Sequence, residues 1–199
     1  LQNIFNPQLE DIAGELVYLF IRENKPKTIL EISPCGGWSS LWICLALQDA
    51  KLDSNYVSCD LIPDSQNNLP KEFKELRTFI QADCRTSNYA FCSPIDYLFI
   101  DSEHSAPFAE WYINNLFPLV SKNGLVSIHD LTTKDGELWY KVSNEYHQQE
   151  SRAVVEYCEK TNKNLWVAKH HYEEFKQSRI TNIDSPLSWP FQSCSCAHC

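Results

Sequence analysis

A chain of 199 residues is the size of one α/β domain and can bury roughly 70% of the surface its unfolded form exposes. Hydrophobic residues at 43% and aromatic residues at 13% exclude a disordered chain, and a formal net charge of −9 with no basic stripe argues against nucleic acid or an anionic membrane as partner. No apolar run reaches the length of a membrane span and no signal peptide opens the sequence, so the expectation is a cytoplasmic protein; the absence of any Met leaves open a trimmed or tagged start.

Apolar, β-prone runs alternate with helix-like stretches, the pattern of a parallel sheet covered on both faces. Leu9, Ile12, Ala13, Leu16, Val17 and Phe20 recur at helical spacing and predict an amphipathic helix from Pro7 to Glu23, ended by Pro26. Thr28–Ile32 reads as the first strand, followed by the turn Ser33-Pro34-Cys35-Gly36-Gly37. Ser39 is suited to cap the next helix, which is apolar all round from Leu41 to Leu47. Strands are predicted at Tyr56–Cys59, Thr78–Ala82 and Asp96–Ile100, then a helix over Ala106–Val120. The turn Lys122-Asn123-Gly124 leads into a fifth strand, Leu125–Ile128. Beyond it, Glu137–Thr161 reads as largely helical and Leu165–His170 as a late strand. The expected organisation is one domain over residues 1–172, its N-terminal helix within 1–25, and a polar extension over 173–199.

In an open parallel sheet, ligands sit beyond the carboxyl ends of the strands, near the point where strand order reverses. Glu31, Asp60, Asp83, Asp101, His129 and Asp130 all fall at or just past predicted strand ends. A single acid there is a common cap or turn residue; a series of five strands ending this way favours a functional reading.

The segment Thr28-Ile-Leu-Glu31-Ile-Ser-Pro-Cys-Gly-Gly37-Trp-Ser39 resembles the first motif of the class I S-adenosylmethionine-dependent methyltransferases, acid-x-Gly-x-x-x-Gly-x-Ser. Glu31, Gly37 and Ser39 match it, while Ser33 stands where the first glycine usually sits. Asp96-Tyr-Leu-Phe-Ile-Asp101-Ser-Glu-His104, then Leu116 to Gly124 and Val126-Ser-Ile-His129-Asp130, look like the family's D-x-x-F-I-D-x-x-H, L-x-x-G-G and F-H-D. That order is similar to the metal-assisted small-molecule O-methyltransferase branch, which includes macrolide sugar methyltransferases and cephalosporin-hydroxylase-like proteins. The likeness spans Thr28 to Leu131.

The resemblance implies a Rossmann-like, doubly wound, mostly parallel sheet, and an enzyme that moves the methyl group of S-adenosylmethionine (SAM) to a hydroxyl of a small molecule. It implies that Glu31 and the Gly36-Gly37 backbone border the methionine and ribose parts of SAM, with Ser33, Ser39 and Asp101 also among the cofactor-binding residues. Asp60 would accept both ribose hydroxyls, and Asp83 would face the adenine. Asp101, His129 and Asp130 would bind a divalent cation (Mg, Mn or Fe), and His104 and Asp101 would be catalytic, His104 as general base. A metal-bound hydroxyl deprotonates more easily, and a neighbouring imidazole takes its proton near neutral pH.

Bland readings stand beside these. Asp101 is equally suited to cap the helix after it, His104 to open that helix without chemistry, and His129 to point away from the sheet edge where Asp130 points toward it. Trp38 and Trp42 read as core. Cys194, Cys196, His198 and Cys199 combine zinc-type ligands with a spacing that fits no standard finger, so oxidisable thiols on a tail is the favoured account. The remaining cysteines read as small buried hydrophobes, and His170-His171 as a surface pair. Two other functions stay open: an NAD-dependent oxidoreductase, disfavoured because the turn lacks G-x-G-x-x-G, and a non-catalytic ligand-binding relative, which Ser33 keeps in play. The sequence is silent on the acceptor, and a homo-oligomer remains compatible with it.

Overall fold

The computed structural model describes Leu9, residues 11–133 and residues 136–165. Helix α1, Asp11–Asn24, buries Val17 and Ile21, one turn apart, against the rest of the domain. It closes on Lys25, whose positive φ of 47° precedes the Pro26 that forbids another turn. Strand β1, Thr28–Ile32, follows, then helix α2, Trp38–Ala50, and strand β2, Asn55–Asp60. Two short helices, α3 (Asp64–Asn68) and α4 (Lys71–Lys74), lead to β3, Thr78–Gln81. Strand β4, Ile95–Ile100, helix α5, Ala106–Asn115, and strand β5, Val120–Ile128, complete the sheet. Helices α6, Trp139–Val142, and α7, Glu150–Thr161, come last.

The five strands lie in the order β3-β2-β1-β4-β5, every neighbouring pair parallel. The chain therefore works outward from β1 to one edge, returns, and works outward from β4 to the other. The reversal falls between β1 and β4, which makes the space beyond their carboxyl ends the place for a ligand. Two apolar clusters cover the two faces of the sheet. One joins α1 and α2 to it through Ile21, Ile29, Ile43, Leu47 and Tyr56. The other joins α5 and α7 through Leu98, Ile100, Phe108, Tyr112 and Val154.

Three local expectations are corrected. Ser39 does not cap α2: the cap position is Gly37 with φ 93° and no side-chain bond, while the Ser39 hydroxyl is committed elsewhere. Lys122-Asn123-Gly124 is not a turn before β5 but lies inside it, where the pairing with β4 shifts register. A Cβ on Gly124 would lie 2.8 Å from the Ile95 carbonyl oxygen, so the irregularity needs glycine there. Helix α5 stops at Asn115 instead of Val120, because Pro118 turns the next residues into a 3-10 turn over Phe117–Leu119. Glu137–Thr161 is largely helical as expected, divided into α6, a 3-10 turn at Tyr146–Gln148 and α7. The expected start of α1 at Pro7, most of the Leu165–His170 strand, the pair His170-His171 and the Cys194, Cys196, His198, Cys199 end lie outside the described residues. Among the described residues, no helix is long and apolar enough to cross a membrane.

Helices α1 and α2 meet at Gly14. A Cβ there would lie 2.1 Å from Trp42 Nε1, and the Trp42 ring is itself wedged edge-on between Tyr18 and Trp38 at centroid distances of 6.3 and 6.1 Å. Gly14→Ala gains up to about 1 kcal/mol of helix propensity, but displacing a packed indole costs about 1–3 kcal/mol. A net loss of stability is expected, read as a lower urea midpoint at unchanged slope.

Candidate active site

The loop after β1 is shaped from below. Glu31 is fully buried, and its carboxylate accepts the hydroxyls of Ser39 at 2.6 Å, Ser40 at 2.7 Å and Tyr56. Buried Arg77 donates to Ser40 at 2.9 Å, to Ser65 at 3.4 Å and to Gln66 at 2.9 Å, and so faces Glu31 across Ser40. Burial pushes the Glu31 carboxyl above its ordinary value, while the Arg77 charge and the three hydroxyls pull it back without cancelling the effect. Glu31 thus does not reach the ligand space. It is a buried anchor holding β1, β2 and the first turn of α2 together, a correction of the contact with SAM that the resemblance implies.

Above this anchor the backbone makes tight reversals. Ser33, Cys35 and Gly37 take φ of 61°, 48° and 93°. A Cβ on Gly37 would come within 3.0 Å of Ser65 Cα, so that glycine is needed for space as well as for φ. Ser33 occupies a left-handed position where a side chain costs about 1–2 kcal/mol relative to the usual regions. Its hydroxyl reaches across the strand reversal to Ser102 Oγ at 2.9 Å, tying the loop after β1 to the loop after β4.

Asp60, at the end of β2, is buried and accepts the backbone N–H of Cys35 at 2.8 Å on one oxygen and of Ile62 at 3.2 Å on the other. Each oxygen keeps a lone pair for a further donor. The next residues, Leu61 and Ile62, are large apolar side chains left 65% and 42% exposed. Asp83 is turned elsewhere: it caps the 3-10 turn Cys84–Thr86 and holds the Arg85 guanidinium through both oxygens. Those bonds keep its carboxyl below the ordinary range, and they explain an acid at this strand end without a ligand. A cleft opens over the loop, lined by Pro34, Cys35, Gly36, Trp38, Ser39 and Asp101.

Asp101 also belongs to a second group. Its ligand atoms, with those of His104 and Asp130, all lie within 4.8 Å of one another. Asp130 takes φ 57°, which Asp tolerates better than most residues, and the turn brings its carboxylate back toward β4. His129, buried beside it, points its Nδ1 at Asp101 Oδ1 (3.3 Å) and Asp130 Oδ2 (3.4 Å). Burial would raise the Asp101 carboxyl, but the facing His129 ring, helped by His104, outweighs it and holds Asp101 below the usual range. The cap of α5 is Ser105, which accepts the Phe108 N–H at 3.3 Å, so Asp101 is not spent on capping.

His104 has a partner that sequence reasoning missed. Glu150, at the start of α7 and 2% exposed, faces His104 Nδ1 at 2.9 Å and accepts the Tyr112 hydroxyl at 3.0 Å. The other ring nitrogen, Nε2, faces Asp130 Oδ2 at 3.8 Å, beyond direct hydrogen bonding. Burial pulls His104 down, yet Glu150 and the two aspartates prevail and leave its pKa above the ordinary histidine value. Burial likewise pushes the Glu150 carboxyl up. The donor set of two carboxylates and one imidazole fits a divalent transition-metal ion better than Mg²⁺, which prefers oxygen alone. Glu150, Tyr112 and Arg77 left no signal in the sequence because each acts across a long stretch of chain; an acid that opens an amphipathic helix is usually solvated.

Three single variants and one double variant test this construction. Glu31→Leu and Arg77→Met should each cost about 3–5 kcal/mol, since each strands a buried charge. The double variant should cost less than their sum by about 1–3 kcal/mol, measured by urea denaturation as a double-mutant cycle. Ser33→Gly should change stability by less than about 1 kcal/mol in the same assay, because the strain relieved and the hydrogen bond lost are of similar size.

The fold has known counterparts. The structure is similar to the O-methyltransferase TomG of Streptomyces achromogenes, involved in tomaymycin synthesis and solved with SAM, at 18% identity and TM-score 0.55, over 74% of this chain and 68% of that one. It is similar to an O-methyltransferase of Bacillus cereus in complex with S-adenosylhomocysteine (SAH), at 18% identity and TM-score 0.59, over 74% and 69%. The SAH-bound methyltransferase PaMTH1 of Podospora anserina aligns at 18% identity and TM-score 0.55, over 78% and 71%. Among curated proteins no sequence matches. Residues 30–131 match the family described as a methyltransferase domain, a span that runs from within β1 through β5 and holds the loop and the Asp101–His104–Asp130 group, and the chain belongs to that family.

Proposed function

We propose that this protein transfers the methyl group of SAM to a hydroxyl of a small molecule. One observation carries the reading: Asp101 lines the cleft over the β1 loop and is also a member of the acid–imidazole group with His104 and Asp130. A methyl donor in the cleft and a hydroxyl at that group would share a wall, as an in-line displacement requires. Bound SAM supplies a methyl group already activated by its positive sulfonium.

The chain's own residues have distinct tasks in this reading. The free lone pairs of Asp60 accept the two ribose hydroxyls, and exposed Leu61 and Ile62 offer the adenine an apolar surface. The Ser33–Ser102 hydrogen bond closes the floor between the two halves of the sheet. Nε2 of His104 takes the acceptor's hydroxyl proton, a contribution of typically about 10²–10⁴-fold. His129 faces both aspartates and holds the Asp101 carboxyl below its usual range. A second reading follows from the donor set: a divalent cation held by Asp101, Asp130 and His104 would orient the acceptor and lower the pKa of its hydroxyl. The formal charge of −9 suits a small acceptor better than nucleic acid, in the cytoplasm, and a homo-oligomer is compatible with this chemistry.

Calorimetric titration with SAH, with and without Mn²⁺, tests the reading. The native chain should bind SAH, and Asp60→Ala should weaken binding by about 10–100-fold, the worth of hydrogen bonds to one charged group. Absence of SAH binding to the native chain under both conditions would overturn it. Mn²⁺ uptake that His104→Ala abolishes would select the cation reading over His104 as the proton acceptor.

A further inference from the structure

We propose that Glu150 is a positioning residue that fixes His104 as the Nδ1–H tautomer, so that the Nε2 lone pair faces Asp101 and Asp130. The inference rests on methyl transfer at this group as the function, but its content is a property of the unliganded chain. It holds whether Nε2 receives a proton or a cation, because both need the same lone pair.

The geometry assigns the roles. Glu150 is buried, and its Oε2 lies 2.9 Å from His104 Nδ1. An ionised carboxylate only accepts, so with Glu150 ionised this contact places the ring proton on Nδ1. The opposite nitrogen faces Asp130 Oδ2 at 3.8 Å, too far for a direct bond, and looks into the group whose atoms lie within 4.8 Å. Two restraints hold the carboxylate still. The Tyr112 hydroxyl, on a fully buried side chain, donates to Oε1 at 3.0 Å, and the Glu150 N–H donates to the His104 carbonyl oxygen at 3.3 Å. Helices α5 and α7 are thus coupled at the point that orients the ring. A histidine whose second nitrogen is held by a carboxylate in this way is fixed in orientation and made more basic at the first.

The Tyr112 bond makes the test discriminating. In Glu150→Gln the amide has one oxygen and one NH₂. The Tyr112 hydroxyl makes its one hydrogen bond among the described residues to this side chain, so its proton claims the amide oxygen. The NH₂ is then turned to His104 Nδ1, which must accept, and the mobile proton moves to Nε2. Charge is lost, shape is kept, and the tautomer inverts. Removing the hydroxyl as well, in Glu150→Gln with Tyr112→Phe, frees the amide to flip and present its oxygen to Nδ1–H again.

The experiment is ¹⁵N–¹H long-range correlation on the ¹⁵N-histidine-labelled full chain without ligand, at a pH where the ring is neutral. His104→Gln assigns the signal. The native chain should show the Nδ1–H pattern, Glu150→Gln the Nε2–H pattern, and the double variant a return to Nδ1–H. A merely structural role for Glu150 would leave the tautomer unmoved. An Nε2–H pattern in the native chain overturns the proposal without any variant having to fold, as does a folded Glu150→Gln chain with the native pattern. SAH titration of the same samples separates the two readings. SAH binding together with a native Nε2–H ring defeats this proposal alone, whereas an Nδ1–H ring without SAH binding defeats methyl transfer alone.

Discussion

The site depends on a carboxylate that never meets solvent. Glu31 sits in the middle strand of the sheet with three hydroxyls on it and Arg77 one serine away. Leaving any of these groups unpaired inside the domain would cost several kcal/mol, so each fixes the others. Through Ser39 and Ser40 the network sets where α2 begins; through Ser65 it sets how closely α3 approaches Gly37. The reversals at Ser33, Cys35 and Gly37 are strained for a free chain and persist because their two ends are pinned to this buried charge. The loop's shape is therefore a consequence of what lies beneath it.

From that anchor the geometry runs outward in two directions. On the β2 side, Asp60 accepts the Cys35 N–H and completes the loop while keeping lone pairs outward. On the β4 side, the Ser33–Ser102 bond spans the strand reversal and sets Asp101 against the cleft. The serine at position 33 thus has a physical reading of its own. It accepts left-handed strain of about 1–2 kcal/mol and gains a bond across the crevice that glycine could not make.

Much of this was legible in the sequence, and the rest was not, for a common reason. The strands β1 to β4 and the acids at their ends are local patterns of alternation and termination, and they emerged within a residue or two of their observed bounds. The chemistry of those acids was not local. Asp83 reads like Asp60 in the sequence, yet Arg85 two residues on neutralises it at the surface. Glu31 matches the first motif, yet its partners come from β2 and from Arg77, 46 residues later by position. Ser39 has the composition of a cap, yet a buried carboxylate competes for its hydroxyl and wins, leaving the cap to backbone geometry at Gly37. Lys122-Asn123-Gly124 has the composition of a turn, but pairing with β4 on both sides of it makes it a bulge.

The acid–imidazole group follows a rule that residue types alone do not display. Glu150, His104, Asp130, His129 and Asp101 form a chain in which acid and imidazole alternate, with successive contacts of 2.9, 3.8, 3.4 and 3.3 Å. Three carboxylates this close would repel one another in a low-dielectric pocket, and one would be forced to protonate. An imidazole lies between each successive pair, and the one beside Asp101 holds that carboxyl below its usual range. The link of 3.8 Å, from His104 Nε2 to Asp130, is the widest of the four, while the link from Glu150 to His104 Nδ1 is closed by a direct hydrogen bond. An acceptor hydroxyl or a cation entering there would complete the alternation with the rest of the chain already in place. The two histidines consequently do different work: His129 faces two carboxylates and lowers the Asp101 carboxyl, while His104 is held from behind by Glu150 and meets the widest link. What separates them is the second carboxylate each one faces, and that is set by α7, an element outside the family's matched span of residues 30–131.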